Sequence, residues 1–356
     1  MNLKVALLAH HREENTAIQQ VVKCIRAIEE NYNHFFTINS LTTELRNGEV
    51  LLDEATVNAC KNSDAILSSF PVSRNGYHIS KEGIKSTIFE TFDFYASVVP
   101  TLPFPNQVNF EEYASNKNVD IVVFSALKAG KYASIEMATK SGVDSFHSNL
   151  QSVHQLFHLA FKTAKNRKQK LYIAIPEGPY KKSIWEKTVA EIAPSYPMVK
   201  TFMCDISIII QTILKTPESL DCIFTDRAHG KIINSLNNNL FGLSNLLPCG
   251  HMGIGINLFE PLEDSQSTLK EKVNPIPLIY SLALLLSRFG LQEEAGAIQM
   301  AVNSAGERGM YTTLDTLPKD INCDQLGDYL AAAIIDSEDI GVVNDENIDL
   351  GKSTII

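Results

Sequence analysis

The chain has no basic run, no long hydrophobic stretch and no cysteine pair at metal or redox spacing. Its 31 Lys and Arg are outnumbered by 41 Asp and Glu, a formal net charge of −10. That balance offers no electrostatic footing for nucleic acid or an anionic membrane. The longest apolar stretch, Leu282 to Leu286 with its flanks, stops at Ser287-Arg288, well short of the roughly 20 residues that span a bilayer. Near the N-terminus, Val5 to Ala9 is too short for the core of a signal peptide and runs straight into His10, His11 and Arg12, so no leader is expected. The six cysteines (Cys24, Cys60, Cys204, Cys222, Cys249, Cys323) are scattered without a C-x-x-C. They read as free thiols in a reducing compartment, and the expected location is the cytoplasm. With 18 Gly and 14 Pro, low-complexity and linker-rich architectures are excluded as well.

What remains is globular. Hydrophobic residues make up 44% and charged residues 20% of 356 positions, enough apolar surface for a sizeable core and a prior of about two domains. Short β-branched runs at Lys4–Ala9, Asp64–Leu67, Val119–Phe124, Leu171–Ile175 and Leu220–Thr225 read as strands. Helical periodicity lies between them at Thr16–Glu30, Val153–Lys168 and Ile184–Ile192. Strand and helix alternate, so the predicted class is α/β. Asp336 to Ile356 is acidic and weakly periodic, the pattern of a loosely packed tail. No G-x-G-x-x-G follows a strand, and neither a P-loop nor H-E-x-x-H occurs. Gly250-x-x-Gly253-x-Gly255 reads as a plain loop. His154 and His158 share one helix face and read as a partly exposed face more readily than as a metal site.

Several ordered elements in the second half are more specific together than apart. They are Leu220-Asp221-Cys222-Ile223-Phe224-Thr225, Asn245-Leu246-Leu247-Pro248 and Asn257-Leu258-Phe259-Glu260-Pro261. Val273-Asn274-Pro275-Ile276-Pro277, Gly290-Leu291-Gln292-Glu293-Glu294-Ala295 and Gln325-Leu326-Gly327-Asp328 follow. This series resembles the β-decarboxylating dehydrogenases, the isocitrate and isopropylmalate dehydrogenase family. The match is nearly continuous from Val153 and patchy before it.

The resemblance implies a two-domain fold with a large mixed sheet flanked by helices. Residues 1–99 with 255–345 would form one domain, 100–254 a smaller dimerisation domain, and 346–356 a tail. In this family Mg²⁺ and a 2-hydroxy acid share a cleft beside NAD(P). The metal polarises the new carbonyl, arginines clamp carboxylates, a Lys–Asp pair moves the hydroxyl proton and a Tyr protonates the enolate. Tyr132 falls on the proton-donating tyrosine and Asp205 on the aspartate that closes the Y-V-D strand. Core packing for Tyr132 and a helix N-cap for Asp205 are the competing readings.

The other positions depart from the family. Clamp arginines fall on or near Phe89, Val99 and Ser125, and the catalytic lysine falls at or beside Pro176. In the element matching G-D-I-x-S-D, Gly230 stays while Lys231 and Ser235 replace both metal-binding aspartates. Glu263-Asp264-Ser265 stands at the adenine loop, where carboxylates weigh against a dinucleotide.

Magnesium is therefore not expected. NAD or NADP is implied by resemblance alone, with Glu260, Ser265 and Asn274 at the cofactor positions. The expectation is a family scaffold without the parent oxidative decarboxylation, acting as a homodimer or beside a related subunit, its cleft free for a small molecule. In a sharper form, the Lys231 ammonium stands where the metal would sit and pairs with Asp205 across the dimer; a solvated Lys231 is the plainer reading. The alternative is an NAD(P)-dependent oxidoreductase acting on a less carboxylated 2-hydroxy acid.

Overall fold

A computed structural model describes residues 1–10, 15–46, 49–70, 78–81, 84–101, 119–127, 140–176, 179–240, 246–263, 273–311 and 317–336. The strands are β1 (Asn2–His10), β2 (Phe35–Arg46), β3 (Glu49–Leu52), β4 (Ala65–Ser68), β5 (His78–Lys81), β6 (Ile84–Thr87), β7 (Ala96–Thr101), β8 (Ile121–Ala126), β9 (Lys170–Ala174), β10 (Lys200–Cys204), β11 (Cys222–Asp226), β12 (Pro248–Met252) and β13 (Asn257–Pro261). The helices are α1 (Asn15–Tyr32), α2 (Glu54–Lys61), α3 (Ile88–Thr91), α4 (Lys140–Lys165), α5 (Pro179–Ile192), α6 (Ile206–Lys215), α7 (Arg227–Leu240), α8 (Ile276–Arg288), α9 (Gln292–Glu307) and α10 (Cys323–Ile335). The five runs and three periodic segments read as strands and helices all fall on elements of the expected type. The helix expected from Val153 begins earlier, at Lys140, because Gly142 and the polar residues after it dilute its apolar period.

Among the described residues thirteen strands form one mixed sheet, ordered β10-β9-β11-β8-β7-β12-β13-β4-β1-β2-β3-β5-β6. Its two flanking arms, β8-β11-β9-β10 and β13-β4-β1-β2, are parallel. The joints between β8, β7, β12 and β13 are antiparallel. Parallel strands are covered on both faces, which is why β4, β8 and β11 are buried throughout and legible as apolar runs. On one side Phe157 stacks on Phe224 at 3.7 Å, and Trp185 stands edge-on to both.

Helix α8 is apolar nearly all round, and Leu278 to Ser287 is buried throughout. The Leu282–Leu286 stretch is thus the spine of the core. Among the described residues no helix is long and apolar enough to cross a membrane. All six cysteines are free, and burial pushes the thiols of Cys24, Cys60 and Cys323 up to about 12. The reading of Gly250 as loop is corrected: it lies within β12, where a Cβ would come within 3.2 Å of the Phe259 ring on β13. Glycine there permits close strand packing.

Arg167, just past α4, ties three strand ends together. Its Nε donates to Asp221 Oδ1 at 2.8 Å, and its Nη2 donates to Asp120 Oδ1 at 2.6 Å and to the Asp120 carbonyl at 3.1 Å. The Lys170 backbone N–H adds a 3.2 Å bond to the other Asp221 oxygen.

Candidate functional site

The antiparallel middle of the sheet carries a cavity of about 330 Å³, closed on one side by α7. Asp226, at the end of β11, starts that helix by accepting the His229 N–H at 2.9 Å. Arg227, Lys231, Asn234 and Ser235 then follow at helical spacing and line the cavity together. Gly230 faces the sheet instead, and a Cβ there would lie 2.0 Å from Ser125 Oγ and 2.9 Å from Ser125 Cβ. Gly230→Ala is therefore expected to cost about 1–3 kcal/mol by overpacking, measured by urea unfolding. A variant as stable as the parent would show that α7 has room to shift.

Strand register supplies the floor. Thr225 pairs with Ser125, Ser125 with Ser97, and Ser97 with His251. Paired residues share a face, so a row of polar side chains crosses four strands, and Ser125, Ser97 and His251 open on the cavity. His251 is 2% exposed. Its Nδ1 lies 2.8 Å from Ser97 Oγ and its Nε2 lies 2.7 Å from Glu260 Oε1, with Cys249 Sγ at 3.6 Å. Phe89 meets the imidazole edge-on at 4.9 Å, and the Arg227 guanidinium sits 5.8 Å over the Phe89 ring.

Burial disfavours a charged imidazole here, but the Cys249 sulfur and Glu260 carboxylate outweigh it and push His251 up to about 10. As imidazolium, His251 donates to Ser97 Oγ, which leaves the Ser97 hydroxyl proton free to donate into the cavity.

Five positions that the resemblance assigned to clamp arginines and metal aspartates, Phe89, Val99, Ser125, Lys231 and Ser235, all line this one cavity. Glu260 is fully buried on β13, turned to His251. Asn274 is buried before α8, where its Oδ1 accepts the Ile276 N–H at 3.1 Å while its Nδ2 has no partner among the described residues. Asp205 is exposed and caps α6, its Oδ1 accepting the Ser207 N–H at 2.8 Å. The Ser207 backbone and side chain hold that carboxyl below the usual carboxylate range. Within one chain Lys231 makes no ion pair among the described residues. Tyr132 and Ser265 lie outside the described residues.

The donors present do not suit the family's magnesium ion. A hard divalent cation takes several oxygen ligands, carboxylates foremost. Here an ammonium, a guanidinium and a hydroxyl line the cavity from α7. Among the described residues no group of three His, Cys, Asp or Glu is placed to hold a metal. For a dinucleotide, Asn274 Nδ2 offers a free donor, whereas the Glu260 carboxylate already serves His251.

Sequence reasoning passed over Arg227, Ser97 and His251. Arg227 carried a signal, since it precedes Lys231 by four residues on one helix face. The other two carried none, because their partnership depends on strand register.

A mixed sheet of this order, with its cleft at the antiparallel joint, defines a class before it defines a reaction. A sequence model of the isocitrate/isopropylmalate dehydrogenase family matches residues 4–330, and the chain belongs to that family. The 3-isopropylmalate dehydrogenase of Priestia megaterium is 26% identical over 337 residues, 88% of this chain and 90% of that protein. The 3-isopropylmalate dehydrogenase of Thermotoga maritima is 31% identical over 251 residues, 67% of this chain and 70% of that protein. The crystal structure of isocitrate dehydrogenase from Methylococcus capsulatus shares the fold, with a TM-score of 0.70 at 19% identity, covering 94% of this chain and 99% of that one.

Proposed function

We propose that this protein keeps the family scaffold without the metal-dependent oxidative decarboxylation, and serves as a catalytically silent partner or regulatory subunit. The observation that carries this reading is Lys231, with Arg227 and Ser235 beside it, in the cavity where the resemblance places the metal-binding aspartates. One positioned acid–base group contributes ~10²–10⁴-fold in rate, and here the clamp, base and metal positions are all replaced. The test is turnover of 3-isopropylmalate and isocitrate with NAD⁺ or NADP⁺, followed at 340 nm with and without Mg²⁺. No metal-dependent reduction is expected; Mg²⁺-dependent turnover would overturn the reading.

A second reading, an NAD(P)-dependent oxidoreductase acting on a less carboxylated 2-hydroxy acid, is favoured by His251, an acid–base group facing the cavity. Calorimetric titration with NAD⁺ and NADP⁺ separates the two, since saturable binding supports only the second.

We also propose the family's division into 1–99 with 255–345 and 100–254, and a dimer formed through α6 and α7, as a homodimer or with a related subunit. In that dimer Asp205 of one copy would reach Lys231 of the other. Ile208 on α6 and Ile232 on α7 support the interface, each 51% exposed on helices that pack together. The double variant Ile208→Asp, Ile232→Asp is expected to halve the mass seen by light scattering while the chain stays folded. An unchanged mass would remove these helices from the interface. Six free thiols, five of them buried, support a reducing compartment, the cytoplasm.

A further inference from the structure

Cys249 belongs to a cluster of three groups on one face of the sheet. It pairs with Glu260 across β12 and β13 and lies two residues before His251, so the three side chains project together. Cys249 Sγ is 3.6 Å from His251 Nε2, which also meets Glu260 Oε1 at 2.7 Å. The residue is 2% exposed yet borders the cavity, so the cavity is the route by which a reagent reaches the sulfur. The other thiols sit differently. Burial raises Cys24, Cys60, Cys222 and Cys323, and burial with the neighbouring Asp205 raises Cys204. Buried thiols in such surroundings are inert.

We propose that Cys249 is a nucleophilic thiol, the site of covalent modification by small carbon electrophiles that carry one negative charge. A thiolate is the attacking form, and the His251 imidazolium beside it is its counter-charge. Arg227 and Lys231 attract the reagent, since both line the cavity and neither makes an ion pair among the described residues. Their two positive charges stand against Glu263 alone, because His251 and Glu260 cancel each other. The apolar side chains of Phe89, Val99, Leu127 and Leu262 focus that field on an anion entering the cavity. A volume of about 330 Å³ admits a reagent of a few heavy atoms, at the small end of the ~300–1,000 Å³ range of ligand pockets.

The chemistry is a simple displacement. With iodoacetate the Cys249 sulfur attacks the methylene carbon, an Sγ–C bond forms, the C–I bond breaks and iodide leaves. The thiol proton passes to solvent, and nothing is oxidised or reduced overall. Cys249 reacts in this way whether or not the chain turns over a substrate, so the outcome is independent of the catalytic reading.

The test treats the full reduced chain at about pH 7 with iodoacetate and, in parallel, with neutral iodoacetamide, and quantifies each modified cysteine by peptide mass spectrometry. Cys204, half-buried on β10, is the internal reference. The ratio of Cys249 to Cys204 modification should be about tenfold or more greater with iodoacetate than with iodoacetamide. High salt should pull the two ratios together. Lys231→Gln should slow iodoacetate at Cys249 about threefold or more and leave iodoacetamide unchanged, whereas His251→Gln should slow both about tenfold. Lys231 is exposed, so its variant keeps the fold, and thermal unfolding verifies this for both.

Equal ratios for the two reagents would overturn the proposal. So would a ratio indifferent to both salt and Lys231→Gln, or modification of Cys249 only after the chain is unfolded in urea.

Discussion

Replacing Glu260 with leucine is expected to lower unfolding free energy by about 3–5 kcal/mol at pH 7, the usual cost of removing one partner from a buried charge pair. Glu260 is fully buried and His251 nearly so, so the substitution strands an imidazolium between β7 and β13 with Cys249, Ser97 and the rings of Phe89 and Phe94, the latter 6.1 Å away. Glu260→Gln should lose less, since an amide oxygen still accepts the Nε2–H.

The pH dependence follows from the direction of the His251 shift. Its folded value, about 10, lies above the ordinary 6.5. The pair's contribution is therefore fully present below about 6.5, declines as pH rises and is gone above the folded value. The difference between parent and Glu260→Leu, measured by urea unfolding, should shrink steadily from pH 7 to pH 10. A constant difference across that range would mean that His251 is neutral throughout.

Arg167→Met is expected to cost a similar ~3–5 kcal/mol. The guanidinium is 1% exposed and stands against Asp221, which is fully buried, and Asp120, which is 17% exposed. Burial holds Asp221 above the usual carboxylate range even with Arg167 against it. The pair thus mainly offsets its own desolvation. Losing the cation alone leaves two carboxylates facing each other across the ends of β8 and β11.

The double variant Arg167→Met, Asp221→Leu removes both halves of the buried pair and should be more stable than Arg167→Met alone. Denaturant unfolding of both variants checks this. An Arg167→Met protein within about 1 kcal/mol of the parent, the size of an ordinary substitution, would show that water reaches the cluster and solvates it.

The inner parallel strands were legible because they are buried on both faces and read as continuous apolar runs, as in Ile121–Phe124 and Cys222–Phe224, whereas the outer strands β2 and β10, exposed along one face, were not read. Nor was the antiparallel middle. β7 and β12 carry Ser97, Pro100, Gly250 and His251, and a strand that presents a polar row to a cavity loses the pattern that would announce it.

The location of the candidate site was readable from the resemblance, since Phe89, Val99, Ser125, Lys231 and Ser235 converge on one cavity. Its internal wiring was not. That His251 meets both Ser97 and Glu260 depends on the register of three strands, and a slip of one residue would turn each side chain to the opposite face. The roles assigned to Tyr132 and Ser265 fall outside the described residues.

The polar row across β11, β8, β7 and β12 also bears on how the molecule assembles in time. Ser97 and His251 are 154 positions apart, and the strands between them include much of one parallel arm. Contacts of such separation form only after long loops have closed, so the cavity arises late, when both arms have met at the antiparallel joint. A nascent chain that has not yet emitted β12 and β13 has no pocket. A ligand held there would bind the finished sheet alone and raise its stability by mass action. Occupancy would then report that the chain had folded to completion.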